Sequence, residues 1–153
     1  MLRTLTAGLV CLVFAGCGGD VEEASVYDPE AELRAWVDAA EEHAEDKDRS
    51  GLLSMISENY ADARGNDRKK VGDIMRVYFL RQDTVAMMSS IDDIAVMGDS
   101  AAQVNVTVAM AGTGGGAIGL NADAYKFALD LEKQDEEWML TSARWGKVGR
   151  DMR

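Results

Sequence analysis

From Val85 onward the apolar side chains of this chain recur at every second position, and this spacing limits the fold more than any other feature. It is clearest at Val104, Val106, Val108 and Met110. Alternation with period two is typical of a β-strand that buries one face. Turn residues separate four such segments, which predicts an antiparallel meander over residues 85–97, 103–110, 125–132 and 138–148.

The first of these strands changes phase partway along. Its apolar residues up to Ile91 fit one alternation, whereas Ile94 and Val96 fit the other. A β-bulge adds one residue to a strand and so moves the following side chains to the opposite face. We therefore predict a bulge near Asp92–Asp93.

The first half of the chain has helical spacing instead. A first helix is predicted to begin at Pro29, with Asp28 as its cap, and to end near Asp46. A shorter second helix follows, capped by Ser50, and a third covers about 68–79. Three helices before four strands, or five if a short strand forms before the third helix, predict an α+β domain with helices packed on a curved antiparallel sheet.

The first helix has two different faces. Apolar residues at helical spacing form one stripe that is predicted to face the core: Leu33, Trp36, Val37, Ala40 and Ala44. Acidic residues occupy the other face, which we interpret as exposed to solvent: Asp38, Glu41, Glu42, Glu45 and Asp46.

The order of these elements resembles the nuclear transport factor 2-like superfamily, whose domains are cone-shaped α+β barrels. The similarity covers about residues 28–148, including the segments "ISENYADARGNDRKKVGDIMRVYF", "IAVMGDSAAQVNVTV" and "EWMLTSARWGKV". It implies that helices cover the concave face of a bent sheet and leave a pocket in the cone. It also implies a homodimer formed through the outer face of the sheet.

Under this resemblance, six residues are candidates for the pocket lining: Trp36, Tyr60, Asp62, Tyr78, Phe127 and Trp145. Related enzymes, such as ketosteroid isomerase and scytalone dehydratase, need an acid and a base inside the cone. No catalytic set of this kind fits matching positions here, and the single histidine, His43, is predicted to lie on the surface. We therefore expect noncatalytic binding of a small apolar ligand or a protein partner, without a cofactor. An isomerase-like or dehydratase-like enzyme is the alternative.

The segment from Asp46 to Glu58 is spaced in part like a calcium-binding loop. Asp46, Asp48 and Ser50 fit its first, third and fifth positions, but the twelfth position holds Ser57 where a bidentate glutamate is required. Weak calcium binding is thus a second alternative. A polar turn between two helices is the preferred interpretation, and no metal site is predicted.

Residues 1–16 are typical of a secretory signal peptide. One cation, Arg3, precedes an apolar run over 5–14, which is too short to span a bilayer. The following "FAGC" resembles a bacterial lipobox. The resemblance implies cleavage between Gly16 and Cys17 and acylation of Cys17.

This processing would divide the chain into a removed signal peptide, a lipidated tether over 17–27 and a single domain over 28–153. The lipid would anchor the protein in the bacterial cell envelope. Gly18 after the cysteine resembles the pattern for sorting to the outer membrane, so we expect the domain to face the periplasm.

Composition excludes several other classes. The chain has 16 Lys and Arg against 27 Asp and Glu, a net charge of −11, so nucleic acid is not an expected partner. The same charge opposes binding to anionic lipid, which leaves membrane attachment to the anchor. Of the two cysteines, Cys11 would leave with the signal and Cys17 would be acylated, so neither a disulfide nor a cysteine-ligated zinc site is expected.

Overall fold

The computed structural model describes residues 27–113 and 121–150. The signal peptide, almost all of the tether and most of the glycine-rich segment after the second strand lie outside the described residues. The expected cleavage at Gly16 and acylation at Cys17 therefore stay predictions. No helix within the two described ranges has both the length and the apolar character needed to cross a bilayer.

Three helices precede four strands, so the predicted α+β class is confirmed. The elements are α1 (Pro29–Glu45), α2 (Arg49–Ser54), α3 (Arg68–Arg81), β1 (Thr84–Met97), β2 (Ala101–Thr113), β3 (Asn121–Gln134) and β4 (Glu137–Lys147).

The strands form one antiparallel sheet in the order β1-β2-β3-β4, as a meander predicts. The register of β1 on β2 shifts between Ile91 and Asp93, which confirms the predicted bulge. A second shift lies between Asp130 and Leu131 of β3. Because bulges bend and twist a strand, these two shifts curve the sheet and give it a concave face.

Side-chain caps set where the helices begin. Asp28 Oδ1 accepts a hydrogen bond from the backbone N–H of Ala31 at 3.1 Å, as predicted for α1. The predicted cap of α2, Ser50, is wrong: Asp48 Oδ1 accepts from Gly51 N–H at 2.9 Å. Ser50 already lies in the first helical turn, whereas Asp48 keeps the non-helical backbone that a cap requires.

The core lies between the helices and the concave face of the sheet. Leu33 of α1, Val104 of β2 and Leu131 of β3 are fully buried there. Val37 and Ala44 of α1 are buried as well, which confirms the apolar stripe of this helix. Burying a leucine or valine side chain stabilises a fold by about 1.5–3 kcal/mol, so this contact holds α1 on the sheet.

The segment between α2 and α3 runs beside the outer edge of β4. Ser57 N–H donates to Leu140 O at 2.9 Å, and Ala61 N–H donates to Thr141 O at 3.2 Å. Only an isolated parallel bridge, Ile56 to Leu140, forms between them. The segment thus covers the edge of β4 without becoming a regular fifth strand.

Two acidic residues of α1 cover the opposite edge of the sheet. Glu45 Oε1 accepts from Met87 N–H at 2.8 Å, and Glu41 Oε2 accepts from Ser89 N–H at 2.8 Å and from the Ser89 hydroxyl. Glu41 and Glu45 are four residues apart on the helix, and Met87 and Ser89 are two apart on β1, so both pairs align. The acidic face of α1 is therefore only partly a solvated face: two of its members satisfy backbone donors of an edge strand.

The sheet has two unlike ends. We call the end with the β1–β2 and β3–β4 turns the turn end; there Tyr27 OH donates to Asp99 O at 3.2 Å. Glu32 of α1 accepts from both Lys133 Nζ and Trp138 Nε1 at 2.9 Å, which fixes the start of α1 to the same end. The other end, where β2 ends and β3 begins, is called the open end.

Replacing Glu41 by alanine tests the bonds from α1 to the sheet edge. A hydrogen bond to a charged acceptor contributes about 1.5–3 kcal/mol, so Glu41→Ala should lower the free energy of unfolding in urea by about that amount. Glu42→Ala, a neighbour on the exposed face, should change it by less than about 0.5 kcal/mol. Equal losses in both variants would contradict the assigned role of Glu41.

The contacts of Glu32 at the turn end predict how the stability of the fold depends on pH. Bonds from Lys133 and then Trp138 hold the pKa of Glu32 below its ordinary 4.5. A carboxylate with a lowered pKa in the folded state contributes stability above its unfolded pKa and loses it as the pH falls through the folded pKa. In acid titrations followed by circular dichroism, Glu32→Gln should therefore lose less stability below pH 4.5 than the wild type. Glu30→Gln, two residues earlier on the exposed side of α1, should follow the wild type. A Glu32→Gln curve parallel to the wild type would refute the role of Glu32.

Candidate functional site

Three aromatic side chains lie on the concave face at the open end of the sheet. Phe127 of β3 is paired in register with Trp145 of β4, and their ring centroids are 6.4 Å apart with the planes at 20°. Tyr125 lies two residues before Phe127, 6.4 Å from it between ring centroids. All three are only partly buried. We call Tyr125, Phe127 and Trp145 the aromatic row.

A cation borders one end of the aromatic row. The guanidinium carbon of Arg64 is 4.2 Å from the centroid of the Trp145 ring, and Arg64 Nη2 donates to Trp145 O at 2.9 Å. The segment that carries Arg64 is fixed to β4 because Ala63 N–H donates to Ala143 O. Arg64 therefore lies over the Trp145 ring as in a cation–π contact.

An ion pair borders the other end of the aromatic row. Lys147 Nζ and Asp123 Oδ1 are 2.7 Å apart, and both side chains are about half exposed. The bond to Asp123 raises the pKa of Lys147. Tyr78 of α3 faces this pair: burial, followed by the nearby Tyr125 and Asp123, raises the pKa of its phenol. Tyr78 therefore remains a neutral hydrogen-bond donor.

Tyr60 and Asp62 are buried rather than aligned with the aromatic row. Asp62 Oδ1 accepts from the N–H groups of Arg64 and Asn66, and Asp62 Oδ2 accepts from Asn66 Nδ2, each at 2.8 Å. The carboxylate thus organises the loop before α3. Tyr60 belongs to the core, where burial and then the Asp62 carboxylate raise the pKa of its phenol.

Trp36, the remaining candidate for the pocket, lies away from the other five. It lines a cleft of about 460 Å³ together with Trp138 and Met139 of β4, and none of the other five candidates lines that cleft. Its Nε1 atom is shielded from solvent and has no hydrogen-bond partner among the described residues. The six candidates therefore divide into an open-end group (Tyr78, Phe127, Trp145), a buried pair (Tyr60, Asp62) and Trp36.

In the segment Asp46–Glu58, which was compared with a calcium loop, polar side chains bond to neighbouring groups of the protein. Asp48 caps α2 through Oδ1, and its Oδ2 lies 3.1 Å from Nδ1 of His43. Asp46 ends α1, and Lys47 Nζ donates to Gln82 O and Asp83 O. Within 27–113 and 121–150, no three His, Cys, Asp or Glu side chains converge as metal ligands. The segment is therefore a short turn over Asp46–Asp48 followed by α2, and Lys47 in that turn also holds the end of α3.

The outer face of the sheet is polar in the middle and apolar at the open end. Thr107 Oγ1 donates to Asp92 at 2.8 Å, and Lys126 lies 3.9 Å from the same carboxylate. A shallow cavity of about 410 Å³ lies towards the open end and is lined mainly by small residues and one exposed methionine: Ala86, Met88, Ala109, Ala111, Ala122 and Ala124. A homodimer through this face stays a prediction.

The open end combines, among the described residues, the partly exposed rings of the aromatic row with polar groups at their border. Its polar groups are a paired lysine and aspartate, a stacked arginine and a protonated phenol. Tyr125 could have been found from the sequence, because it shares the phase of Phe127 in β3. Sequence pattern does not identify the charged residues of the site, because only the fold brings Arg64, Asp123 and Lys147 to the aromatic row.

No protein-family model and no curated protein sequence matches this chain. Solved structures do match. A candidate scytalone dehydratase from Novosphingobium aromaticivorans DSM 12444 aligns at a TM-score of 0.72 and 11% identity, covering 80% of this chain and 94% of that one. A ketosteroid isomerase-like protein from Erwinia carotovora atroseptica SCRI1043 aligns at 0.66 and 14% identity, covering 81% and 100%.

A nuclear transport factor 2-like protein of unknown function from Shewanella oneidensis MR-1 also matches, at a TM-score of 0.59 and 15% identity over 76% of this chain and 97% of that one. Identities this low show shared architecture and carry no activity across. Together with the helix-covered, curved four-stranded sheet, they show that this chain has the nuclear transport factor 2-like α+β fold.

Proposed function

We propose that this protein is a lipid-anchored protein of the bacterial cell envelope whose domain binds a small apolar ligand at the aromatic row without chemical change. The observation that carries the proposal is the partial exposure of Tyr125, Phe127 and Trp145 on the concave face. At the turn end of the same face, by contrast, Leu131 and Leu140 are buried.

The geometry of the aromatic row favours a planar ligand. Phe127 and Trp145 are nearly parallel, so a flat molecule can stack beside them and remove apolar surface from water. Aromatic pairs contribute about 0.5–1.5 kcal/mol beyond the area that they bury. The Tyr78 hydroxyl, the Lys147 ammonium and the Arg64 guanidinium supply donors at the edge, which suits a ligand that also carries a hydrogen-bond acceptor.

The carboxylates nearest to the aromatic row support binding over catalysis. A general base needs a lone pair that can reach the substrate proton. Asp62 uses its carboxylate for three bonds within its own loop, and Asp123 is paired with Lys147 at 2.7 Å. The neighbours described as dehydratase-like or isomerase-like share the fold, and a fold alone does not specify chemistry.

The cellular location rests on the sequence of the first 27 residues. The proposed processing leaves Cys17 as the acylated first residue, ten positions before Tyr27. Ten residues span at most about 35 Å, so the domain would stay close to the bilayer. Several acyl chains are needed for stable anchoring, which the lipoprotein pattern supplies.

Ligand binding at the aromatic row can be tested with an aromatic probe that also carries a hydrogen-bond acceptor. Titration with 1-anilinonaphthalene-8-sulfonate should give saturable fluorescence, and Trp145→Leu should weaken that binding by about tenfold because one stacking face is lost. Met97→Ser, an exposed residue on the outer face at the turn end, should leave the affinity within about twofold. Equal affinities in all three proteins would place the probe elsewhere and would refute the proposed site.

Membrane attachment can be tested at Cys17. The wild-type protein expressed in a Gram-negative host should fractionate with membranes, and Cys17→Ser should abolish that association because the acylated sulfur is lost. Mass spectrometry of the wild-type N-terminal peptide should show the added lipid. A Cys17→Ser protein that is processed and still sediments with membranes would contradict the anchor. Binding at the aromatic row is measured independently and would be unaffected by that result.

A further inference from the structure

The cleft that contains Trp36 is separate from the aromatic row. It lies near the turn end, between α1, the end of α2 and the β3–β4 hairpin, and measures about 460 Å³. A cleft of this size suits a small molecule. Nothing in the proposed function uses it.

One wall of the cleft is apolar. Trp36 of α1, Met55 after α2 and Met139 of β4 line it, and each remains partly exposed. Methionine side chains are flexible and polarisable, so they adapt to aliphatic groups of different shape. Indole rings add broad apolar faces that also attract cations.

The rim of the cleft is acidic. Glu32, Glu136 and Glu137 line it. Glu32 already binds Lys133 and Trp138 through Oε2. Within the described residues, Glu136 and Glu137 form no ion pair and are exposed, so their charges face solvent at the mouth of the cleft.

Beside the cleft, a carboxylate and two aromatic rings hold the ammonium group of Lys133. Lys133 Nζ lies 2.9 Å from Glu32 Oε2, 4.4 Å from the centroid of the Tyr27 ring and 5.4 Å from that of Trp138. The Lys133 side chain is only 12% exposed, so this carboxylate-and-aromatic environment surrounds most of a cationic side chain. The open side of the cleft also combines an indole ring with carboxylates, because Trp36, Glu136 and Glu137 all line it.

We propose that this cleft binds a small organic cation: an ammonium group with an aliphatic body. The apolar part packs against Trp36, Met55 and Met139, and the charge is balanced by Glu136 and Glu137. The chain's net charge of −11 raises the local concentration of cations and repels anions of the same shape. A bare divalent metal ion fits poorly, because no three ligand side chains converge anywhere in the described ranges.

The test compares two probes that differ in the sign of their charge. Hexyltrimethylammonium and hexanesulfonate carry the same aliphatic chain, and each is titrated calorimetrically into the full-length purified protein. The cation should bind with one site per chain and a Kd below about 1 mM, and the sulfonate should give no saturable heat. Absence of saturable cation binding, or equal binding of the sulfonate, would overturn the proposal.

Matched variants locate the site. Glu136→Gln with Glu137→Gln removes two exposed charges and should weaken cation binding by about tenfold without unfolding the hairpin. Asp73→Asn with Asp93→Asn removes two charges elsewhere and should change the affinity by less than about twofold, as should Trp145→Leu. If both double variants weaken binding equally, the cation responds only to the overall charge of the protein and the assignment to the cleft is wrong.

Discussion

Attachment of α1 to the sheet is the interaction on which the rest of the structure depends. Its apolar stripe buries Leu33 and Val37 against the concave face, and its carboxylates at Glu41 and Glu45 occupy backbone donors of the free edge of β1. The apolar contact is non-directional. The hydrogen bonds fix the position of α1 along β1, because two helix positions must match two strand positions. One helix therefore both covers the core and closes an edge that would otherwise pair with another chain.

The concave face of the curved sheet has two regions, which differ in how the helices cover them. Towards the turn end, α1 and the segment before α3 cover it, and aliphatic residues fill the interior. Towards the open end, α3 contributes Val71 and Met75 to the core, while Ile74, Val77 and Leu80 face outward. This partial cover leaves the aromatic row accessible.

Local pattern predicted the secondary structure well, because helix and strand periodicity follow from which face is buried. The phase change around Asp92–Asp93 is an example, since a bulge was the simplest way to keep both halves of β1 in the core. The side-chain contacts at the candidate site were harder to predict. Asp62 looked like a pocket carboxylate, but three donors of its own loop lie closer. Arg64 reaches Trp145 across 81 positions of sequence, a contact that no local pattern encodes.

The position of Tyr27 has a consequence for access. Its hydroxyl is fixed at Asp99, whereas the aromatic row lies towards the far end of the strands. The thirteen residues of β2 extend about 40 Å between these ends. A chain held at its N-terminal side would therefore present the aromatic row outward, towards molecules that diffuse through the surrounding aqueous compartment, rather than towards lipids beneath the point of attachment.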